Sequence, residues 1–150
     1  MNSLKEQLES DLRTSMKARD ELVTSTLRMA LAAVRNAEVA GKAARELSDD
    51  EVLGVLTKEA KRRREAAEAF AGAGRAESAE KERAEEQVLA RYLPVPLSDA
   101  ELAELVRDAL AGGGFTTIAQ LGQAMKAAQA AVAGRAEGGR VAAEVRRQLG

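Results

Sequence analysis

The chain has 150 residues, with 23 basic and 24 acidic side chains, no cysteine and no histidine. Because basic and acidic side chains nearly balance, the net charge gives the protein no overall electrostatic attraction to nucleic acid or membrane surfaces. The missing residue types exclude disulfides, thiolate sites, and imidazole as a general base or metal ligand. No stretch reaches the roughly 20 apolar residues of a membrane span, and the N-terminus lacks the apolar segment of a signal peptide. We therefore expect a soluble, cytoplasmic protein with no membrane partner.

Alanine and leucine dominate the apolar residues, with 32 Ala and 17 Leu against a single Ile. Both are strong helix formers, whereas strands favour β-branched and aromatic residues, so the composition predicts an all-α protein. Periodicity, N-caps and glycine stops predict seven helices in chain order. They cover about residues 3–18, 20–40, 48–71, 76–92, 99–111, 118–131 and 140–149.

Two prolines interrupt this helical pattern. The segment "YLPVPLSDAEL" contains Pro94 and Pro96, and each proline holds the preceding residue in an extended conformation. Ser98 and Glu101 then form a capping box of the kind that also opens the third helix. We therefore predict a domain boundary at the prolines. The predicted domains are residues 1–93 and residues 94–150.

The run "KRRR" lies in the third predicted helix of this nearly neutral chain. At about 100° per residue, Arg63 falls inside the apolar stripe, whereas Lys58, Lys61 and Arg62 fall on the outer face. Glutamates four residues away neutralise much of the run. The predicted pairs are Glu59–Arg63, Lys61–Glu65 and Arg64–Glu68. The favoured interpretation is a self-neutralised solvent face, and the alternative is a strip of three outer cations that binds phosphate weakly.

Charge also collects near the C-terminus. Residues 122–150 hold five basic and two acidic side chains, whereas residues 94–121 hold one basic and four acidic ones. The five basic residues are Lys126, Arg135, Arg140, Arg146 and Arg147. Among them, the loop "GRAEGGR" places glycines between two arginines and leads into a helix N-terminus, where an anion is favoured. This loop either binds a phosphate or serves only as a turn between two helices.

We expect the remaining charged residues to stabilise the fold or face solvent rather than take part in catalysis. We expect Arg28 and Arg35, on one face of the second helix, to tie helices together through glutamate or carbonyl partners. Glu85 and Glu86 fall on a heavily charged helix, where solvent exposure is the expected explanation. A catalytic triad needs His or Cys, although Ser–Lys or carboxylate chemistry stays open. No catalytic residue, metal or cofactor is predicted, and we expect no enzyme activity from the chain by itself.

Five segments occur in the order seen in the GatB/YqeY family, and the chain resembles that family over nearly its whole length. They are "STLRMALAAVRNAE", "LSDDEVLGVLTKEAKRRREAAEAF", "AEEQVLARYLPVPLSDAEL", "LGQAM" and "GRAEGGRVAAEV". The "YLP-x-x-LS" junction and the "GRA-x-G" loop are the most specific parts. The family comprises small bacterial proteins similar to the C-terminal tail of the B subunit of the glutamine-dependent aminoacyl-tRNA amidotransferase.

The resemblance implies an N-terminal antiparallel domain of about four helices and a C-terminal three-helix domain. It also implies a contact with tRNA, because the tail of the amidotransferase is regarded as a tRNA-contacting appendage. The family carries the label of carbon–nitrogen ligase activity with glutamine as amido-N-donor. We interpret that label as inherited, since the catalytic machinery lies in other parts of the amidotransferase. Gly122 and Met125 match the family's helix motif, and its loop motif is matched by Gly134, Arg135, Ala136 and Gly138. Gly139 replaces a longer, often basic side chain.

The leading hypothesis is a non-catalytic tRNA-binding or tRNA-amidotransferase-like accessory module. It uses the five C-terminal basic residues, with Lys58, Lys61 and Arg62 assisting. The alternative is a protein–protein adaptor that docks a larger partner and has no RNA role. Ligase activity is a third hypothesis, and it requires a partner that supplies the ammonia, the ATP site and the metal.

Overall fold

The computed structural model describes residues 3–150, and all regular structure in that range is helical. This confirms the predicted all-α class. The helices are α1 (Leu4–Ala18), α2 (Glu21–Glu38), α3 (Asp49–Gly72), α4 (Ala76–Ala90), α5 (Asp99–Gly113), α6 (Leu121–Val132) and α7 (Gly138–Leu149), and a 3₁₀ turn spans Ile118–Gln120.

Capping boxes fix the starts of α3 and α5. The Ser48 hydroxyl accepts a hydrogen bond from the Glu51 N–H at 3.2 Å, and the Glu51 carboxylate accepts one from the Ser48 N–H at 3.1 Å. Ser98 and Glu101 repeat both bonds at 3.1 Å. Each box satisfies two backbone donors that have no partner inside the helix. Both helix starts therefore lie where the sequence predicts them.

The sixth predicted helix is split. A 3₁₀ turn comes first, and α6 begins only at Leu121. The Gln120 side chain accepts hydrogen bonds from the N–H groups of Thr116 and Thr117, at 2.8 and 3.2 Å. These bonds cap a tight turn instead of the first turn of an α-helix.

Glycine is required where α5 ends. Gly114 adopts a left-handed conformation with φ of 70°, which glycine reaches without steric strain. A Cβ atom on Gly113 would lie 2.3 Å from the Phe115 ring. The ring therefore folds back over the end of α5 and packs against the hydrophobic core beside it.

The chain divides into two compact units between Leu93 and Pro94. Unit 1 contains α1 to α4, and unit 2 contains α5 to α7. The buried core of unit 1 consists of Leu8, Val23, Leu27, Ala30, Leu31, Val34, Val52, Leu56, Ala60, Val88 and Leu89. The buried core of unit 2 consists of Leu97, Leu102, Val106, Leu110, Ala124, Ala128, Val132, Val141, Val145 and Leu149.

Candidate nucleic-acid interface

The four consecutive basic residues of α3 project in different directions. Lys61 and Arg62 are exposed and Arg64 is half-buried, whereas Arg63 is only 6% exposed. Arg63 occupies the inward side of α3 because the apolar residues of that helix repeat with the same period. The run is therefore not one basic patch, as the helical periodicity indicates.

Arg63 lies between two glutamates inside unit 1. Its Nη1 donates to the Glu59 carboxylate at 2.9 Å and to the Glu59 carbonyl at 3.0 Å, and its Nε lies 3.6 Å from the Glu85 carboxylate. Glu85 is 4% exposed, so the prediction that it faces solvent is wrong. A buried charge requires an opposite charge close by, and the packing of α4 on α3 supplies one here.

The other charges of the run follow the expected pairing in part. Lys61 lies 4.0 Å from Glu65, as predicted. Arg64 lies 3.4 Å from Glu86 on α4. The Glu86 side chain is 19% exposed, so this residue is also less exposed than the sequence suggests.

The outer strip of α3 keeps its cations near solvent. Lys58 is exposed and forms no hydrogen bond or ion pair within residues 3–150. Arg62 lies 3.4 Å from Glu59, and its side chain is 76% exposed. Exposed pairs of this kind are weak, so Lys58, Lys61 and Arg62 are all able to exchange their contacts for a phosphate. Their role in binding RNA stays a prediction.

The loop "GRAEGGR" joins α6 to α7 and holds the segment that opens unit 2. The Arg135 carbonyl accepts a hydrogen bond from the Leu97 N–H at 2.8 Å. Arg140 donates from Nη2 to the Leu97 carbonyl at 3.0 Å and to the Asp99 carboxylate at 2.9 Å. Arg135 is exposed, and its Nε lies 3.5 Å from the Val95 carbonyl. Arg140 therefore has a structural role in unit 2 that the sequence analysis missed.

The three other basic candidates of unit 2 differ in how their charges are compensated. Lys126 on α6 and Arg146 on α7 are exposed and form no hydrogen bond or ion pair with any residue from 3 to 150. Arg147 donates to both carboxylate oxygens of Glu144, at 2.7 and 2.9 Å. This hydrogen bonding lowers the pKa of Glu144 and raises that of Arg147. Lys126 and Arg146 are therefore the cations of unit 2 best placed to receive a phosphate.

Arg140 and Arg147 line one shallow cleft together with Asp99 and Glu144. The two arginines project from the same side of α7 because they lie seven residues apart. Two carboxylates share the cleft with them, so the local charge does not favour an anion. A further carboxylate, that of Glu137, belongs to the N-cap residue of α7, beside the helix start where the sequence analysis considered a phosphate.

The four motif residues have different surroundings. Gly134 has φ of 78°, in the left-handed region that favours glycine. A Cβ atom on Gly138 would meet Gln129 at an ordinary 3.7 Å, and one on Gly122 would meet open space. Met125 packs against the core of unit 2. The structure therefore explains why glycine occupies position 134 and methionine occupies position 125. Gly122 leaves the outer side of α6 open.

Arg28 and Arg35 on α2 lack the partners that the sequence analysis expected. Both are exposed, and neither forms a hydrogen bond or ion pair within residues 3–150. The neighbouring Glu38 accepts two hydrogen bonds from Lys5, at 2.9 and 3.1 Å. Lys5 and, to a smaller extent, the Leu47 N–H and the Arg35 charge lower the pKa of Glu38. The side-chain contact that joins helices here is therefore the one between Lys5 of α1 and Glu38 of α2, and neither arginine takes part in it.

Unit 1 also contains a cleft of about 370 Å³, between α1, the start of α2 and the end of α4, which the sequence analysis did not predict. In it, the Tyr92 hydroxyl donates to the Asp11 carboxylate at 2.6 Å. Burial and this hydrogen bond raise the pKa of Tyr92. The hydroxyls of Ser15 and Thr24 bond each other at 2.8 Å. These groups satisfy one another, and no local motif could have predicted the contact, because Tyr92 and Asp11 are 81 residues apart.

Two further properties bear on function. Within residues 3–150, no group of three or more carboxylates is arranged to hold a metal ion. None of the helices in that range combines the length and the apolar character needed to cross a membrane.

Comparisons with known proteins place these observations in context. The sequence profile of the family described as Yqey-like protein matches residues 5–149, which is nearly the whole chain. An uncharacterized protein of Schizosaccharomyces pombe is 41% identical over 81 residues, a match that covers 53% of this chain. The matched region spans 63% of the fission-yeast protein, which is less than two thirds of its length. The profile extends across both compact units.

Proposed function

Because this chain belongs to the YqeY-like family, which suggests an accessory domain related to GatB, we propose that it is a non-catalytic accessory module that binds tRNA. The binding surface lies on unit 2 and is similar in role to the tail of the tRNA amidotransferase. The sequence supports the non-catalytic part, because the chain contains neither histidine nor cysteine. A cytoplasmic location accords with this proposal, since tRNA is used there.

One observation carries the proposal. Among the five basic candidates of unit 2, Lys126 and Arg146 are exposed and have no partner within residues 3–150. Arg135 is also exposed, and its side chain makes only a long hydrogen bond. None of these three side chains has a carboxylate within 4 Å among residues 3–150, whereas the charges of Arg140 and Arg147 are already paired with Asp99 and Glu144.

So few contacts predict weak binding that does not depend on base sequence. Each phosphate contact contributes a slope of about −0.7 to −0.9 to the plot of log affinity against log salt. Three contacts therefore give a slope between about −2 and −3, and affinity falls roughly 20- to 40-fold between about 50 and about 200 mM salt. Lys58, Lys61 and Arg62 of unit 1 would steepen this slope if they also contact the RNA.

The test is a titration of the full chain against bulk tRNA and a size-matched DNA hairpin at the two salt concentrations. The double variant K126A/R146A should reduce affinity for tRNA and lower the salt slope by about 2. The matched control R13A/R83A removes two exposed arginines of unit 1 and should leave both quantities unchanged.

Three results would contradict the proposal. They are equal affinity for the DNA hairpin, equal losses in the variant and its control, and no binding of tRNA at the lower salt concentration. The last result would favour the adaptor hypothesis, in which the protein docks a larger protein and has no RNA role.

A further inference from the structure

Helix α2 presents a regular exposed surface. Its members repeat at alternating spacings of three and four residues, and all of them are exposed. They are Leu22, Ser25, Met29, Ala32 and Asn36, and we name this surface the α2 outer face. Leu22 and Met29 are 37% and 44% exposed, although both are large apolar side chains. This spacing is the a and d pattern along which one helix packs against another.

Two arginines border the α2 outer face on one side. Arg28 directly precedes Met29 and Arg35 directly precedes Asn36, so the two charges stand seven residues, or about 10 Å, apart along the helix axis. Neither side chain has a hydrogen bond or ion pair within residues 3–150. Glu21 begins the same row one heptad earlier, which leaves the row with a net positive charge concentrated at Arg28 and Arg35.

The chemistry of the face suits burial under another helix. The Ser25 hydroxyl donates to the Leu22 carbonyl at 3.3 Å, so its donor is already satisfied inside α2. Ser25 and Ala32 are small and allow two helices to approach to about 8 Å. The Met29 sulfur accepts a hydrogen bond from the buried Arg63 at 3.7 Å, which restrains the end of this side chain. Asn36 places a polar group at an a position, where such a group selects one register.

We propose that the α2 outer face binds an amphipathic helix of a partner protein that carries two acidic side chains seven residues apart. Its apolar stripe covers Leu22 and Met29, and its two carboxylates pair with Arg28 and Arg35. The face spans about 21 Å from Leu22 to Asn36, so the bound segment is a helix of about four turns. RNA fits this surface less well, since the exposed Leu22 and Met29 side chains beside the arginines offer nothing to phosphates.

A second copy of this chain is a poorer occupant. In an antiparallel pair of two α2 helices centred on Met29, residues at the same flanking position face one another. Arg28 would then meet Arg28 of the other copy at the middle of the interface. In this register the repulsion between like charges favours a different protein as the partner, and the inference does not depend on the proposal for tRNA.

The test uses a designed helical peptide of about 21 residues, with Leu and Ala at the a and d positions and Glu on both flanks. A matched peptide carries Lys at the flanking positions. Fluorescence anisotropy with the full chain should show about tenfold tighter binding of the acidic peptide than of the basic one. The variant R28E/R35E should reverse this preference, and R28Q/R35Q should abolish it. The control R13E/R83E should change neither affinity, and circular dichroism checks that each variant retains its helices.

Several outcomes would overturn the proposal. One is the absence of binding by the acidic peptide, and another is equal binding of both peptides to the unaltered chain. A third is a preference that persists in R28E/R35E. Sedimentation velocity provides the remaining one: a dimer that dissociates when Met29 is replaced by Glu would show that the face joins two copies of this chain.

Discussion

The ion pair between Arg63 and Glu85 predicts an asymmetry in stability. Removing Glu85 alone, as in E85A, leaves a guanidinium that is 6% exposed without one of its two carboxylates. Removing both charges together, as in R63M/E85L, leaves no charge of this pair buried. Glu59 is not stranded in the double variant, because Arg62 lies 3.4 Å from its carboxylate and is exposed.

The loss of stability in each variant depends on how deeply the remaining charge is buried and on which hydrogen-bond partners Arg63 keeps. Breaking a buried ion pair on one side costs about 3–5 kcal/mol, whereas replacing both charges by apolar groups is close to neutral. In E85A, Arg63 keeps two hydrogen bonds to Glu59, at 2.9 and 3.0 Å. We therefore expect E85A to lower the free energy of unfolding of unit 1 by about 2–3 kcal/mol, and R63M/E85L by less than about 1 kcal/mol.

Urea denaturation measures this difference. The chain contains one tyrosine and no tryptophan, so the fluorescence of Tyr92 follows unit 1 selectively. With a denaturant slope of about 1.5 kcal/mol per molar urea, E85A should lower the midpoint by about 1.3–2 M. The reasoning would be refuted if E85A shifted the midpoint by less than about 0.5 M, or if the double variant were as unstable as the single one.

Two further predictions concern loop anchoring and acid stability. R140A removes the hydrogen bonds to the Leu97 carbonyl and to Asp99, which should destabilise the opening segment of unit 2 by about 1–2 kcal/mol. Hydrogen exchange of the Leu97 amide should then accelerate by about 5- to 30-fold, and an unchanged rate would show that Arg140 anchors nothing. Hydrogen bonding from Arg45 holds the pKa of Glu51 at about 2, below its ordinary 4.5, so its stabilising effect is complete above pH 4.5 and disappears as the pH falls to about 2. The difference in melting temperature between the unaltered chain and E51Q should therefore shrink across that pH range, and a constant difference would contradict it.

Local signals in the sequence were enough to predict the helices and several of their ends. The capping boxes at Ser48 and Ser98 act over three residues, and the inward position of Arg63 follows from the period of a single helix. The Lys61–Glu65 pair is likewise a contact between neighbouring turns. Each of these features depends on residues within about one helical turn, so tertiary packing was not needed to predict them.

The candidate interface was less predictable, because the basic side chains available for phosphate are those that the rest of the protein has not already paired. The sequence analysis named five basic residues of unit 2 and singled out the loop that carries Arg135 and Arg140. The packing of α7 against the opening segment engages Arg140, and Glu144 engages Arg147. Lys126 and Arg146 keep exposed charges. Glu144, three residues before Arg147, is a local signal for that pair, whereas the contacts of Arg140 follow only from tertiary packing.

The sequence by itself determined the helical class, the approximate positions of the helices and the buried side of α3, because spacing and capping are local properties. Only the tertiary structure decided the state of the charged and polar groups whose partners lie far away in the sequence. Glu85 lies 22 residues from Arg63 and becomes buried because α4 packs on α3. Arg140 and Leu97 are 43 residues apart, and Tyr92 and Asp11 are 81 apart. Desolvation and pairing depend on which distant helices meet, and that depends on how the whole chain packs.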